Sequence, residues 1–255
     1  MDFTIDTYRR LLVALQSSGM TFNLRHDVDL KPLRSLRTAQ LEQELGLTAT
    51  YYFRTVPESY DPQIIKQIHS LGHTIGYHYE SLTTTNGNMA AAYDDFCRNL
   101  ERLRTLAPVN TICMHGSPRS PFDSRDIWKQ YNYRALDIEY EPYFDTDFNH
   151  TLYLTDTGRR WDGYRVSVRD KIPMHQDRWQ QQGLTYHTTH QLIAALQDPA
   201  SALRRSGLDM LITTHPQRWT EPGWSHFAEY ATQSLKNAVK RLLVLRRNKK
   251  TQQAQ

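Results

Sequence analysis

Three times in its first eighty residues the chain repeats one pattern: a helical stripe of apolar residues, a glycine, then a short run suited to a strand. Leu11, Leu12 and Leu15 precede Gly19 and the run 21–26. Leu33, Leu36, Leu41 and Leu45 precede Gly46 and the run 48–53. Ile64, Ile65, Ile68 and Leu71 precede Gly72 and the run 73–79. Apolar residues three or four apart mark one face of a helix, glycine closes it, and β-branched and aromatic residues favour strands. Asp6 caps the first of these helices in this reading, and Asp61-Pro62 opens the third. Helices alternating with strands predict a parallel sheet covered by helices, the α/β class.

The rhythm continues with a helix capped by Asn88, a strand over 110–114 and a helix from Ser124 through Trp128. A fifth strand is expected over 135–140 and short ones over 151–154 and 164–168. A helix capped by Thr188 or Thr189 runs through Leu196, a last strand covers 208–213, and a C-terminal helix starts near Trp224. Six or seven such units in 255 residues fit a (β/α) barrel as well as an open sheet. No Gly-x-Gly-x-x-Gly follows the first strand and no Walker loop is present, so the nucleotide-binding versions lose weight.

The net charge of +4 is uneven: seven basic and no acidic residues follow Glu229, and the rest holds 24 basic against 27 acidic. A slightly acidic body argues against nucleic-acid binding, which needs its charge on the folded face. The basic tail carries Leu235, Val239, Leu242 and Leu245 at helical spacing. It reads as a packed helix with a solvated face; weak contact with an anionic membrane surface is the second reading. The start of the chain lacks a basic and then apolar leader, and Cys97 and Cys113 sit in no ligand or disulfide motif. The cytoplasm is the expected setting.

Parallel α/β folds carry their reactive residues at the C-terminal ends of strands. The first strand ends in Arg25-His26-Asp27-Val28-Asp29, the third in His78-Tyr79-Glu80, the fourth in His115-Gly116-Ser117-Pro118-Arg119 and the last in His215-Pro216. Strand side chains alternate, so Asp27 and Asp29 share a face, and His78 and Glu80 share another mouth-facing set. His73 falls on the opposite face and reads as structural. Two adjacent carboxylates repel unless a metal or a shared proton holds them. Aspartate and histidine ligands with an open position suit a catalytic divalent metal, zinc first.

Arg25-His26-Asp27-Val28-Asp29, the lead-in Gly72-His73-Thr74-Ile75-Gly76-Tyr77-His78 and the late His215-Pro216 together resemble the polysaccharide deacetylases of carbohydrate esterase family 4. The resemblance covers roughly residues 21–220. It implies a distorted (β/α)7-type barrel as one domain: an N-terminal helix in 1–20, the catalytic domain in 21–230, and a basic C-terminal helix and tail in 231–255. It implies Asp27 as general base, Asp29 and His78 as metal ligands, and His215 as general acid. The family's second metal histidine falls on Leu82, which cannot ligate; Glu80 is expected in its place, with His115 next. His115, Pro118, Arg119, Asp156 and Trp161 are expected to line the substrate cleft. The implied activity is metal-dependent removal of an N-acetyl group from an amino sugar of a polysaccharide or its precursor. The implied type is the cytoplasmic one linked to surface-polysaccharide synthesis. Two alternatives stand beside it: a glycosyltransferase using Asp27-Val28-Asp29 as Asp-x-Asp, and a carbohydrate-binding relative without full metal coordination.

Overall fold

The computed structural model describes residues 1–117, 120–163, 167 and 171–223. Its strands are β1 (Phe22–Val28), β2 (Thr50–Phe53), β3 (Thr74–Tyr79), β4 (Ile112–Met114), β5 (Thr151–Thr155) and β6 (Asp209–Thr214). They form one sheet in the order β4-β3-β2-β1-β6-β5, with helices between successive strands, as the α/β reading requires. The chain makes two compact units: residues 23–151 with 213–217, and residues 1–22 and 152–212 with the described residues from 218 on.

The first unit contains α2 (Pro32–Glu44), α3 (Pro62–Ser70), α4 (Ser81–Thr84), α5 (Met89–Arg104) and α6 (Pro142–Asp145). Here β1 to β4 pair in parallel, with Asp27 opposite Tyr52, Tyr52 opposite Gly76 and His78 opposite Cys113. Residues level in a parallel sheet share a face, so Arg25, Asp27, Tyr52, Gly76 and His78 point one way. His26, Tyr51, Ile75 and Tyr77 point the other way. On that second face the Tyr77, Tyr79 and Trp128 rings lie 5.1, 5.4 and 4.8 Å from Phe96 of α5. Each buried aromatic of this kind contributes on the order of 2 kcal/mol.

Behind β1, the wholly buried Glu42 of α2 accepts from the Tyr51 hydroxyl at 2.7 Å and lies 2.7 Å from His26 Nε2. His26 Nδ1 is 2.7 Å from Thr214 Oγ1. His73 is bonded by backbone groups, accepting from the Ala49 N–H and donating to the Ala39 carbonyl. The face expected to be structural is therefore a satisfied polar layer.

The other unit contains α1 (Ile5–Ser18), α7 (Pro173–Gln181), α8 (Thr189–Gln197) and α9 (Ala202–Arg205), with α1 packed on α8. No helix among the described residues is long and apolar enough to cross a membrane.

Three local expectations change. Thr4, not Asp6, caps α1, its side chain accepting from the Thr7 N–H. Residues Ser124–Lys129 form a 3-10 helix whose cap is Asp123 rather than Ser124. The expected fifth strand over 135–140 is instead a 3-10 turn, Tyr133–Leu136. Asn132 caps it and Asp137 ends it at φ 55°, a left-handed conformation that breaks an extended run; Tyr140 alone bridges to Thr111. The short helix α4 has no counterpart in the sequence reading. The strand expected over 164–168 lies largely outside the described residues, and the C-terminal helix and basic tail wholly so.

Candidate metal centre

β1 ends at Val28, and the chain curls there, with the Asp29 N–H donating to the Asp27 carbonyl at 3.1 Å. The two carboxylates meet different surroundings. Asp27 is buried, and Arg25, two residues earlier on the same face, grips it with two bonds of 2.9 and 2.7 Å. The Arg25 guanidinium lies 5.5 Å from the Tyr52 ring and 5.4 Å from the Tyr143 ring. Tyr52 reaches this position because its register partner is glycine: a Cβ on Gly76 would stand 2.4 Å from the Tyr52 ring. Burial alone would push the Asp27 carboxyl up; Arg25, with His78 and His215 nearby, outweighs it and holds the carboxyl at about 2.

Asp29 faces histidines instead. Its Oδ1 is buried without a hydrogen-bond partner, 3.6 Å from His78 Nε2 and 3.5 Å from His115 Nε2. Its Oδ2 accepts from the Gln217 amide at 3.1 Å and lies 3.9 Å from His215 Nε2. Burial again raises this carboxyl, and the three histidines pull it well below the usual range. Both imidazoles are tied at their far nitrogens. His78 Nδ1 donates to the Cys113 carbonyl at 2.9 Å, and His115 Nδ1 bonds Glu80 at 2.9 Å. A carbonyl and a carboxylate only accept, so in the neutral rings each Nε2 presents a lone pair toward Asp29.

These separations fit a shared cation. Ligands about 2.0–2.1 Å from a tetrahedral zinc stand about 3.4 Å apart. Asp29, His78 and His115 supply a carboxylate and two imidazoles within that compass, and the buried Oδ1 has no other partner. Cys113, Asp27 and His78 form an overlapping group, but Arg25 already engages both Asp27 oxygens.

Of the expected ligands, Asp29 and His78 stand together. Glu80 stands apart from them: Oε1 accepts from Arg54 at 2.8 and 2.5 Å, and Oε2 faces His115. Burial would raise its carboxyl, and His115 and Arg54 bring it down to about 2. His115, expected as a cleft residue and next in line as a ligand, completes the group. Leu82 is in α4, its side chain buried with Ala92 and Ile127. Asp156 and Trp161 belong to the other unit. Asp156 is fully buried and accepts from Arg218 at 2.7 Å and from the Trp219 indole at 2.8 Å. Trp161 is buried too and donates to Thr189 at 3.0 Å. Pro118 and Arg119 lie outside the described residues. The sequence reading missed Arg25 and Arg54. Alternation already put Arg25 on the Asp27 face, and Arg54 directly follows β2, whose end the sequence reading did not consider.

No family model matches the chain, and no curated protein matches it. Among solved structures, a CE4 esterase of Streptococcus mutans is similar at 13% identity and TM-score 0.46, over 96% of this chain and 89% of that one. PdaA of Bacillus subtilis, a family 4 carbohydrate esterase, is similar at 12% identity and TM-score 0.40, over 88% of this chain and 82% of that one. A family 4 carbohydrate esterase from Bacillus anthracis is similar at 15% identity and TM-score 0.38, over 51% of this chain and 66% of its own.

Proposed function

We propose that the protein is a divalent-metal-dependent hydrolase that removes an N-acetyl group from an amino sugar of a polysaccharide or its precursor. The observation that carries this is the convergence of Asp29, His78 and His115, with both imidazoles turned by a bond at Nδ1 and the buried Asp29 Oδ1 unpartnered. Two histidines and one carboxylate suit zinc with an open position. The motifs around Asp27, His78 and His215 narrow the reading to sugar deacetylation through their resemblance to the esterase family.

A metal held by these three residues supplies Lewis-acid polarisation of the amide carbonyl. The chain supplies the proton transfers. Asp27 receives the proton of the attacking water. Its lowered carboxyl keeps Asp27 ionised, the form that can accept a proton. His215, at the end of β6, gives a proton to the leaving nitrogen. Arg25 fixes the direction from which Asp27 acts. The glycosyltransferase alternative has less behind it, because Asp29 groups with His78 and His115 rather than with Asp27. The non-catalytic alternative rested on Leu82, and His115 offers the ligand that Leu82 does not. The cytoplasmic setting and a place in surface-polysaccharide synthesis are part of the same proposal.

The test is acetate release from N-acetylated amino-sugar oligosaccharides by zinc-loaded protein. Asp27→Asn should keep zinc and lose about 100–10,000-fold in rate. A wild-type protein that takes up no zinc, or releases no acetate from any N-acetylated sugar offered, refutes the reading.

A further inference from the structure

We infer that Arg54 and Glu80 are positioning residues: one guanidinium at the end of β2 sets two of the candidate ligands at once. Arg54 donates to the Asp29 backbone carbonyl at 3.2 Å through one terminal nitrogen. Through Nε and the other terminal nitrogen it holds Glu80 Oε1 at 2.8 and 2.5 Å. Glu80 Oε2 then accepts from His115 Nδ1 at 2.9 Å. All three guanidinium nitrogens are engaged, and the planar fork relates them rigidly. The placement of Asp29, at the end of β1, and the tautomer and ring angle of His115, after β4, therefore depend on a side chain that touches neither ligand atom. The three side chains are 15–20% exposed, shielded enough for the bonds to resist water. Carboxylate partners of ligating histidines act in this way in metal sites, and their loss weakens metal by about 10–100-fold.

The inference rests on the metal reading, and the experiment separates the two. Metal-free protein is titrated with Co(II), and the visible ligand-field bands report affinity and coordination. Glu80→Ala and Arg54→Lys should each weaken Co(II) about 10–100-fold with the band shape kept. Lysine keeps the charge but lacks the fork, so its failure points to geometry. Glu80→Gln should recover part of the affinity, since its amide oxygen can still accept from His115. Unchanged affinity in Glu80→Ala and Arg54→Lys overturns the inference. So does an altered band shape in Glu80→Gln, which would put the carboxylate on the metal. Wild-type protein that binds no Co(II) refutes the metal reading itself. Isotope-edited NMR of His115 in metal-free protein then still decides the positioning role. The Nδ1–H tautomer should dominate in the wild type and be lost in Glu80→Ala, and a tautomer indifferent to that substitution overturns the role.

Discussion

Asp27 and Asp29 are two residues apart and sit in different surroundings because their partners differ. A guanidinium satisfies both oxygens of Asp27, whereas Asp29 keeps a buried oxygen turned toward two imidazoles. A third acid nearby behaves in the opposite sense. Glu141 caps α6 and is wholly buried, and that burial pushes its carboxyl from 4.5 up to about 7 despite bonds from the Tyr143 and Met114 N–H groups. The folded chain therefore binds this proton more tightly than the unfolded chain. The stability Glu141 lends is complete below about pH 4.5 and is lost as pH rises through about 7. Asp27 and Glu80, with lowered values, lend stability above the ordinary carboxylate range and lose it only toward pH 2, so the windows do not overlap. Thermal unfolding of the metal-free protein should decline from pH 4.5 to 7, and Glu141→Gln should flatten that decline. An unchanged slope in the variant would refute this account of Glu141.

At the scale of elements, α4 decides where the Leu82 side chain goes. Within this short helix the Leu82 side chain goes into the apolar cluster under α5, with Met89, Tyr93 and Phe122 packed around it. Leu82→His should therefore add no ligand. It should bury a polar ring without a partner, cost about 1–3 kcal/mol in chemical denaturation, and leave zinc stoichiometry unchanged. Tighter zinc binding in that variant would show that the family pattern is only masked here. The strand pair β2–β3 makes a second element-level prediction. Gly76 leaves room for the Tyr52 ring, which in turn flanks Arg25. Gly76→Ala forces Tyr52 to move and should cost about 1–3 kcal/mol, with the proposed deacetylation falling further than stability explains because Arg25 loses a wall. Equal activity per folded molecule would remove Tyr52 from the chain of support behind Asp27.

At the scale of the molecule, every member of the candidate centre comes from one compact unit, so a metal bound there would be linked to that unit's folding. Zinc at about 100 times its dissociation constant should add about 2.7 kcal/mol, read as a rise in the unfolding midpoint that Asp29→Ala abolishes. A wild-type midpoint indifferent to zinc would contradict the linkage. What was legible in the sequence was whatever local chemistry dictates. Glycine-closed helical stripes and β-branched runs announced the α/β alternation, and period-two alternation put Asp27 with Asp29 and His73 behind the sheet. The expected strand over 135–140 failed because Asn132 and Asp137 offered turn chemistry that an apolar count overlooks. The third member of the candidate centre lay beyond local rules altogether. Read along the chain, Glu80 comes first as a donor and His115 next. Only the side-by-side strands β3 and β4 bring His115 Nε2 toward Asp29, and only Arg54, arriving from β2, turns Glu80 away to hold it. The sequence by itself determined which residues stand at the strand ends. Tertiary structure decided which of them gather around Asp29 and which bond each other, because that depends on distances of a few ångströms between strands that are far apart in the chain.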